Sequence, residues 1–194
     1  MIVFFLVSNA SAGVATDLVK QTTDSVLDVL KSKELKKPAR TKERRSAIRK
    51  IISERFDFEE MAKRSLARYW KQRTPEEQKE FVGLYTDLLE RTYIRKIESY
   101  NDEQFVYGDE IIDGVYAVVK TKIVTKKNID VLIDYKMFNK NGTWLAYDVV
   151  IEGVSLVNNY RNQFNQIIHS GSYEDVTRKL KDKEIEGLAE DKVK

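Results

Sequence analysis

The hydrophobic period of this chain changes once, at Tyr100-Asn101-Asp102, from about 3.6 residues to 2. Before that point apolar side chains recur at helix spacing; after it they alternate with charged ones, as on half-buried strands. No internal repeat or low-complexity linker separates the two regions. The expected architecture is therefore one α+β domain, with helices packed on one face of a four-stranded antiparallel sheet.

In the helical half, Leu18, Val26, Val29 and Leu30 share helix spacing ahead of a charged break at Lys31 to Lys37, which Pro38 closes. Ile48, Ile51, Ile52 and Phe56 lie on one face of the next helix. Asp57 with Glu60 then reads as a capping box, which makes Arg55-Phe56-Asp57-Phe58 a helix junction. Thr74-Pro75-Glu76-Glu77 supplies an N-cap hydroxyl, a proline at the first helical position and a reciprocal glutamate. From there Phe81, Leu84, Tyr85, Leu88, Leu89, Tyr93 and Ile97 form an apolar stripe that must lie against something large.

Strands are expected near residues 104–112, 115–125, 129–138 and 143–151, joined by turns at Asp113-Gly114, Lys126 to Asn128 and Asn139 to Gly142. Ala117, Val119, Thr121 and Ile123, and likewise Ile129, Val131, Ile133, Tyr135 and Met137, point to one face; lysines and aspartates dominate the other. On the last strand Leu145, Tyr147, Val149 and Ile151 are assigned to one face, with Trp144, Ala146 and Val150 opposite and Asp148 interrupting the apolar run. Gly153 lets the chain turn into a helix capped by Ser155 that carries Leu156, Val157, Tyr160, Phe164, Ile167 and Ile168. A last helix follows Gly171-Ser172.

The residue inventory excludes much chemistry. There is no cysteine, which removes thiolate catalysis, disulfides and cysteine-zinc sites together. The single histidine, His169, falls at a helix end, where the dipole accounts for it. No glycine-rich phosphate loop or nucleophile elbow is present, and no cofactor is implied. Asp148 is the one carboxylate in an apolar context. It reads as a buried, hydrogen-bonded group, the rival being the base of a cone-shaped isomerase or dehydratase with a tyrosine as acid. A net charge of +3 gives no case for nucleic acid.

Two basic stretches stand out. Lys31 to Lys50 holds Arg44, Arg45 and many lysines against only Glu34 and Glu43, as would suit docking to anionic lipid or an acidic partner. Arg64 to Lys71 mixes Arg64 and Arg68 with Tyr69 and Trp70, which could border a cavity mouth near a phosphate. A ligand-free adaptor using such basic surfaces is the second rival reading.

At the N-terminus, Ile2 to Val7 followed by Ser8-Asn9-Ala10-Ser11-Ala12 has the form of the back end of a secretory signal peptide cleaved after Ala12. The expected organisation is a signal-peptide remnant at 1–12, a single domain at 13–184 and a charged tail at 185–194.

Arg55 to Ala62, Trp70 followed by Thr74 to Gln78, Leu89 to Tyr93, and Tyr147-Asp148-Val149 leading to Glu152-Gly153-Val154-Ser155 together resemble the toluene-tolerance (MlaC) family of periplasmic phospholipid-binding proteins. The resemblance spans the chain from the first helix to the last. It implies a curved sheet and helices enclosing an apolar cavity, and a monomeric, non-enzymatic periplasmic carrier of phospholipid. Its implied partners are an outer-membrane lipoprotein–porin complex and an inner-membrane ABC transporter. On this reading the acyl tails contact Leu84, Tyr85, Leu88, Tyr93, Val119, Ile133, Tyr135, Tyr147, Val149, Val154, Val157 and Phe164. Arg44, Arg45, Arg64, Arg68 and Trp70 would serve the head group or partner docking.

Overall fold

A computed structural model describes residues 13–100, 102–125, 130–185 and 187. The expected signal-peptide remnant lies outside the described residues, as does the tail apart from Ile185 and Gly187. The helical half comprises α1 (Val14–Lys31), a 3-10 turn at Pro38–Arg40, α2 (Thr41–Ser53), α3 (Phe58–Leu66), a 3-10 segment at Ala67–Gln72 and α4 (Pro75–Glu98). Strands β1 (Gln104–Asp113), β2 (Tyr116–Val124), β3 (Asp130–Lys140), β4 (Thr143–Ile151) and β5 (Val154–Ser155) follow, then α5 (Leu156–Ser170) and α6 (Tyr173–Lys181).

The sheet is antiparallel throughout, in the order β1-β2-β3-β4-β5. It has five strands, not the four expected. Glu152 and Gly153 both take positive φ, 49° and 76°, which folds the chain into a tight two-residue hairpin. Val150 then pairs with Ser155 and Ile151 with Val154 before α5 begins. The first four strands fall within two residues of their expected bounds.

Local signals set the helix starts. Thr74 Oγ1 accepts from Glu77 N at 3.2 Å while the Glu77 carboxylate accepts from Thr74 N at 2.8 Å, the reciprocal cap that the sequence calls for. Asp57 caps α3 by accepting from Glu60 N at 2.9 Å, but the box is not closed. Asp57 N donates instead to Ala146 O at 2.9 Å, and the Glu60 carboxylate turns to Lys63 and Arg64.

Two cores flank the middle of the molecule. Among α3 to α6, Phe81 and Tyr85 of α4 meet Tyr160 and Phe164 of α5 edge to face, with ring centroids 5.5 Å apart for Phe81 and Phe164 and 5.6 Å for Tyr85 and Tyr160. Ile185 is buried in the same cluster, and its carbonyl accepts from Arg91 at 3.1 Å. Under the sheet, Ala15 and Val19 of α1 meet Ala117, Val119, Met137, Trp144 and Ala146. Glu110 of β1 fixes the start of α1 by accepting from Gly13 N at 3.0 Å and Thr16 N at 2.6 Å.

A register shift in β4 corrects the expected face assignment. Lys136 pairs with Asp148 but Met137 pairs with Ala146, so Tyr147 is the extra residue of a bulge. Trp144, Ala146, Val149 and Ile151 face the helices. Leu145 and Tyr147 face away, and the Tyr147 ring packs 6.0 Å from both Tyr116 and Phe138 on the outer surface.

Candidate functional site

A partly open, mostly apolar pocket of about 450 Å³ lies between α1, α2 and α4 on one side and the inner sheet face on the other. α1 contributes Val19, Val26, Leu27 and Leu30. α2 contributes Arg45, Ile48, Arg49 and Ile52, one continuous helical stripe at spacings of three and four residues. α4 supplies Leu89, Tyr93, Ile94 and Ile97. The sheet wall follows from register: Val119, Tyr135 and Val149 sit in one cross-strand row, Thr121, Ile133 and Ile151 in the next, Ile123 and Val131 in a third. Of these rows Ile123, Val131, Ile133, Tyr135, Val149 and Ile151 reach the pocket.

The inner end is closed by the Arg55-Phe56-Asp57-Phe58 junction. Ala146 N donates to Arg55 O at 2.8 Å and Arg55 Nη1 to Trp144 O at 3.0 Å, so the junction is laced onto the open edge of β4. Asp57 also pairs with Lys140 at 2.7 Å. This brings the Phe56 ring to 6.1 Å from Phe58 and 6.4 Å from Tyr135, at the meeting point of three apolar clusters.

Among the described lining residues, Arg49, Lys96 and Ser99 are the exposed ones, and they mark the mouth. Ion pairs hold its sides together. Glu98 receives Arg44 Nη2 at 2.7 Å and Arg45 Nη2 at 2.8 Å, and Arg49 pairs with Glu90. Hydrogen bonding from Arg45, joined by Arg44, holds the Glu98 carboxyl below its ordinary range against the opposing effect of burial. Deeper in, burial raises the Tyr135 hydroxyl to about 12, so it enters the pocket neutral.

Four of the residues expected to meet a ligand lie on this pocket: Tyr93, Ile133, Tyr135 and Val149. Tyr85, Leu88, Val157 and Phe164 sit in the helical core with Leu84 packed on it, Val119 sits against α1, and Val154 packs beside Val149 and Leu156. Tyr147 is on the outer face. Of the expected docking residues, Arg45 is at the mouth and Arg44 beside it. Arg64 stacks over Tyr147, its guanidinium carbon 4.1 Å from the ring centroid; Arg68 lies over Tyr69 at 4.9 Å, and Trp70 is buried in the helical core. The apolar contributions of α1 and α2 were not among the expected contacts, although the apolar positions of α1 fall on more than one face, a sign of burial from two sides.

Asp148 does not line the pocket. It is 3% exposed, and its Oδ2 accepts from Ser155 Oγ at 2.6 Å while Oδ1 accepts from Val157 N at 3.0 Å. Among the described residues no group of His, Cys, Asp and Glu is placed to hold a metal ion, and no helix is long and apolar enough to cross a membrane.

Helices laid against an antiparallel meander, with a mostly apolar pocket between the layers, make this an α+β protein built around an apolar site. Within that class the chain belongs to the MlaC protein family, whose family model matches residues 20–182. It is similar to the intermembrane phospholipid transport system binding protein MlaC of Haemophilus influenzae, with 21% identity over 145 residues, 72% of this chain and 68% of that protein. It is similar also to the toluene tolerance protein ttg2D of Pseudomonas putida, with 23% identity over 150 residues, 76% of this chain and 70% of that protein. Among solved structures it resembles the phospholipid-binding protein of Ralstonia solanacearum in complex with a phospholipid. That match has a TM-score of 0.79 and 26% sequence identity, and covers 87% of this chain and 95% of the other.

Proposed function

We propose that this protein is a periplasmic phospholipid carrier that holds acyl tails in the pocket between α1, α2, α4 and the sheet, with the head group at the mouth beside Arg45, Arg49 and Lys96. The observation that carries this reading is the pocket itself: a wall of aliphatic and aromatic side chains with its exposed polar residues gathered at one opening. Membership of the MlaC family and the phospholipid bound to the Ralstonia relative support it.

The physical need is large. Two long acyl chains hold roughly 28 CH₂ groups, and at ~0.8 kcal/mol each their exposure to water costs more than ~20 kcal/mol. A carrier has only to match the apolar environment of the bilayer, because binding far tighter would prevent delivery. Direction then comes from partners, which we take to be an outer-membrane lipoprotein–porin complex and an inner-membrane ABC transporter.

Native mass spectrometry of protein purified without detergent tests the proposal. A phospholipid mass released on denaturation is expected. A clean apo mass, with no uptake from vesicles, would overturn it.

A further inference from the structure

The exposed lining residues, Arg49 on α2 and Lys96 and Ser99 near the end of α4, stand where Leu30 of α1, Ile48 of α2 and Ile94 of α4 pack together, and Arg44 Nη1 donates to Leu35 O at 3.0 Å, which ties the loop after α1 to this corner. Lys31 at the close of α1 lies over the Tyr100 ring at 5.9 Å, and Tyr100 itself lines the pocket. Four carboxylates of this corner are committed to ion pairs, Glu34 to Lys37, Glu43 to Arg40, Glu90 to Arg49 and Glu98 to Arg44 and Arg45, while Asp28 and Asp102 are exposed at its edge. Among the described residues this leaves Lys33, Lys36, Lys42, Lys50, Arg95 and Lys96 exposed and outside those pairs.

We infer that this basic corner docks the protein on an anionic bilayer surface, with the pocket mouth turned toward the lipid. The inference rests on the carrier reading and adds to it the surface that meets the membrane. Charge complementarity argues for it, since the segment Lys31 to Lys50 holds two carboxylates in all. The chemistry of the patch selects a bilayer over an acidic protein. Protein interfaces are depleted in lysine and depend on apolar or aromatic anchors. Here the cations outside those pairs are mostly lysines, and the exposed large apolar side chains lie elsewhere, Val14 at the start of α1 and the others, such as Ile111, Val115 and Leu132, on the sheet or its β1–β2 turn. Long mobile ammonium groups spread over a loop and two helices suit a diffuse negative surface. Docking in this orientation shortens the aqueous path of a transferring lipid.

Co-sedimentation tests it, using vesicles of phosphatidylcholine alone and vesicles also containing phosphatidylglycerol. The protein should bind the anionic vesicles at about 0.05 M salt and leave them at about 0.5 M, where charge interactions are screened within a few ångströms. The triple variant K36Q/K42Q/K50Q should bind them on the order of 100-fold more weakly. Since none of the three residues lines the pocket, its lipid content by native mass should equal that of the parent. Equal binding to both vesicle types, or an unweakened triple variant, overturns the inference. The native mass keeps the two readings apart. A lipid-loaded protein that ignores anionic vesicles overturns the docking and leaves the carrier standing, whereas a protein that takes up no lipid overturns the carrier.

Discussion

The hydroxyl of Ser155 donates to the buried carboxylate of Asp148 at 2.6 Å, across the hairpin that joins β4 to α5. The same carboxylate accepts from Val157 N, and Ser155 Oγ accepts in turn from Asn158 N at 3.0 Å. Two otherwise orphaned amides in the first turn of α5 are thereby satisfied. Asp148→Ala should lower stability to urea by about 3 kcal/mol, the scale of losing hydrogen bonds to a buried charged acceptor. Lipid should remain in the folded fraction, because the group holds a helix and does not meet the pocket. Loss of lipid with unchanged stability would contradict this role.

The pocket and the helical core should answer differently to substitution. Ile133 faces open space, so Ile133→Trp should displace lipid, seen as loss of bound mass, while costing under about 1 kcal/mol of stability. Leu88 is fully buried among aromatic rings, so Leu88→Ala should cost about 2–5 kcal/mol and leave occupancy of the folded protein unchanged. Parallel native mass and denaturation measurements on both variants check the division.

Glu98 should make the α2–α4 contact acid-sensitive. Its carboxyl is held below its ordinary value of 4.5, so its contribution is fully present above that value and fades as pH falls through the lower folded-state value. Glu98→Gln should therefore be less stable than the parent at neutral pH, with the difference shrinking below about pH 4.5. A difference independent of pH in urea unfolding would remove Glu98 ionisation from the account.

These contrasts also show what a sequence can carry. The change of period, the capped start of α4 and the bounds of four strands are local patterns, and local patterns are written in consecutive residues. The bulge at Tyr147 is not: an aromatic side chain is at home on either face, and only pairing with Lys136 and Met137 decides which. β5 is two residues long, too short for any alternation to register. The α4 stripe correctly reports burial without naming the neighbour. Its first half packs on α5 and α6, whereas Tyr93, Ile94 and Ile97 turn to the pocket. That split is set by where α1 and α2 cross the sheet, a long-range fact that places the cavity between layers.

Phe56 offers the sharpest test of how the junction serves the pocket. It packs against three clusters at once, while the adjacent Asp57 contributes a helix cap and an ion pair to the exposed Lys140. Phe56→Ala should therefore cost about 3–5 kcal/mol and also weaken lipid retention, since it removes the inner wall of the pocket along with core contacts. Asp57→Ala should cost about 1 kcal/mol, the scale of a lost cap, with the ring still in place and lipid still bound. If Phe56→Leu, which restores much of the apolar volume, recovers both stability and lipid content, the ring acts by filling space. If it recovers stability alone, the aromatic face toward Phe58 and Tyr135 is itself part of the lipid contact.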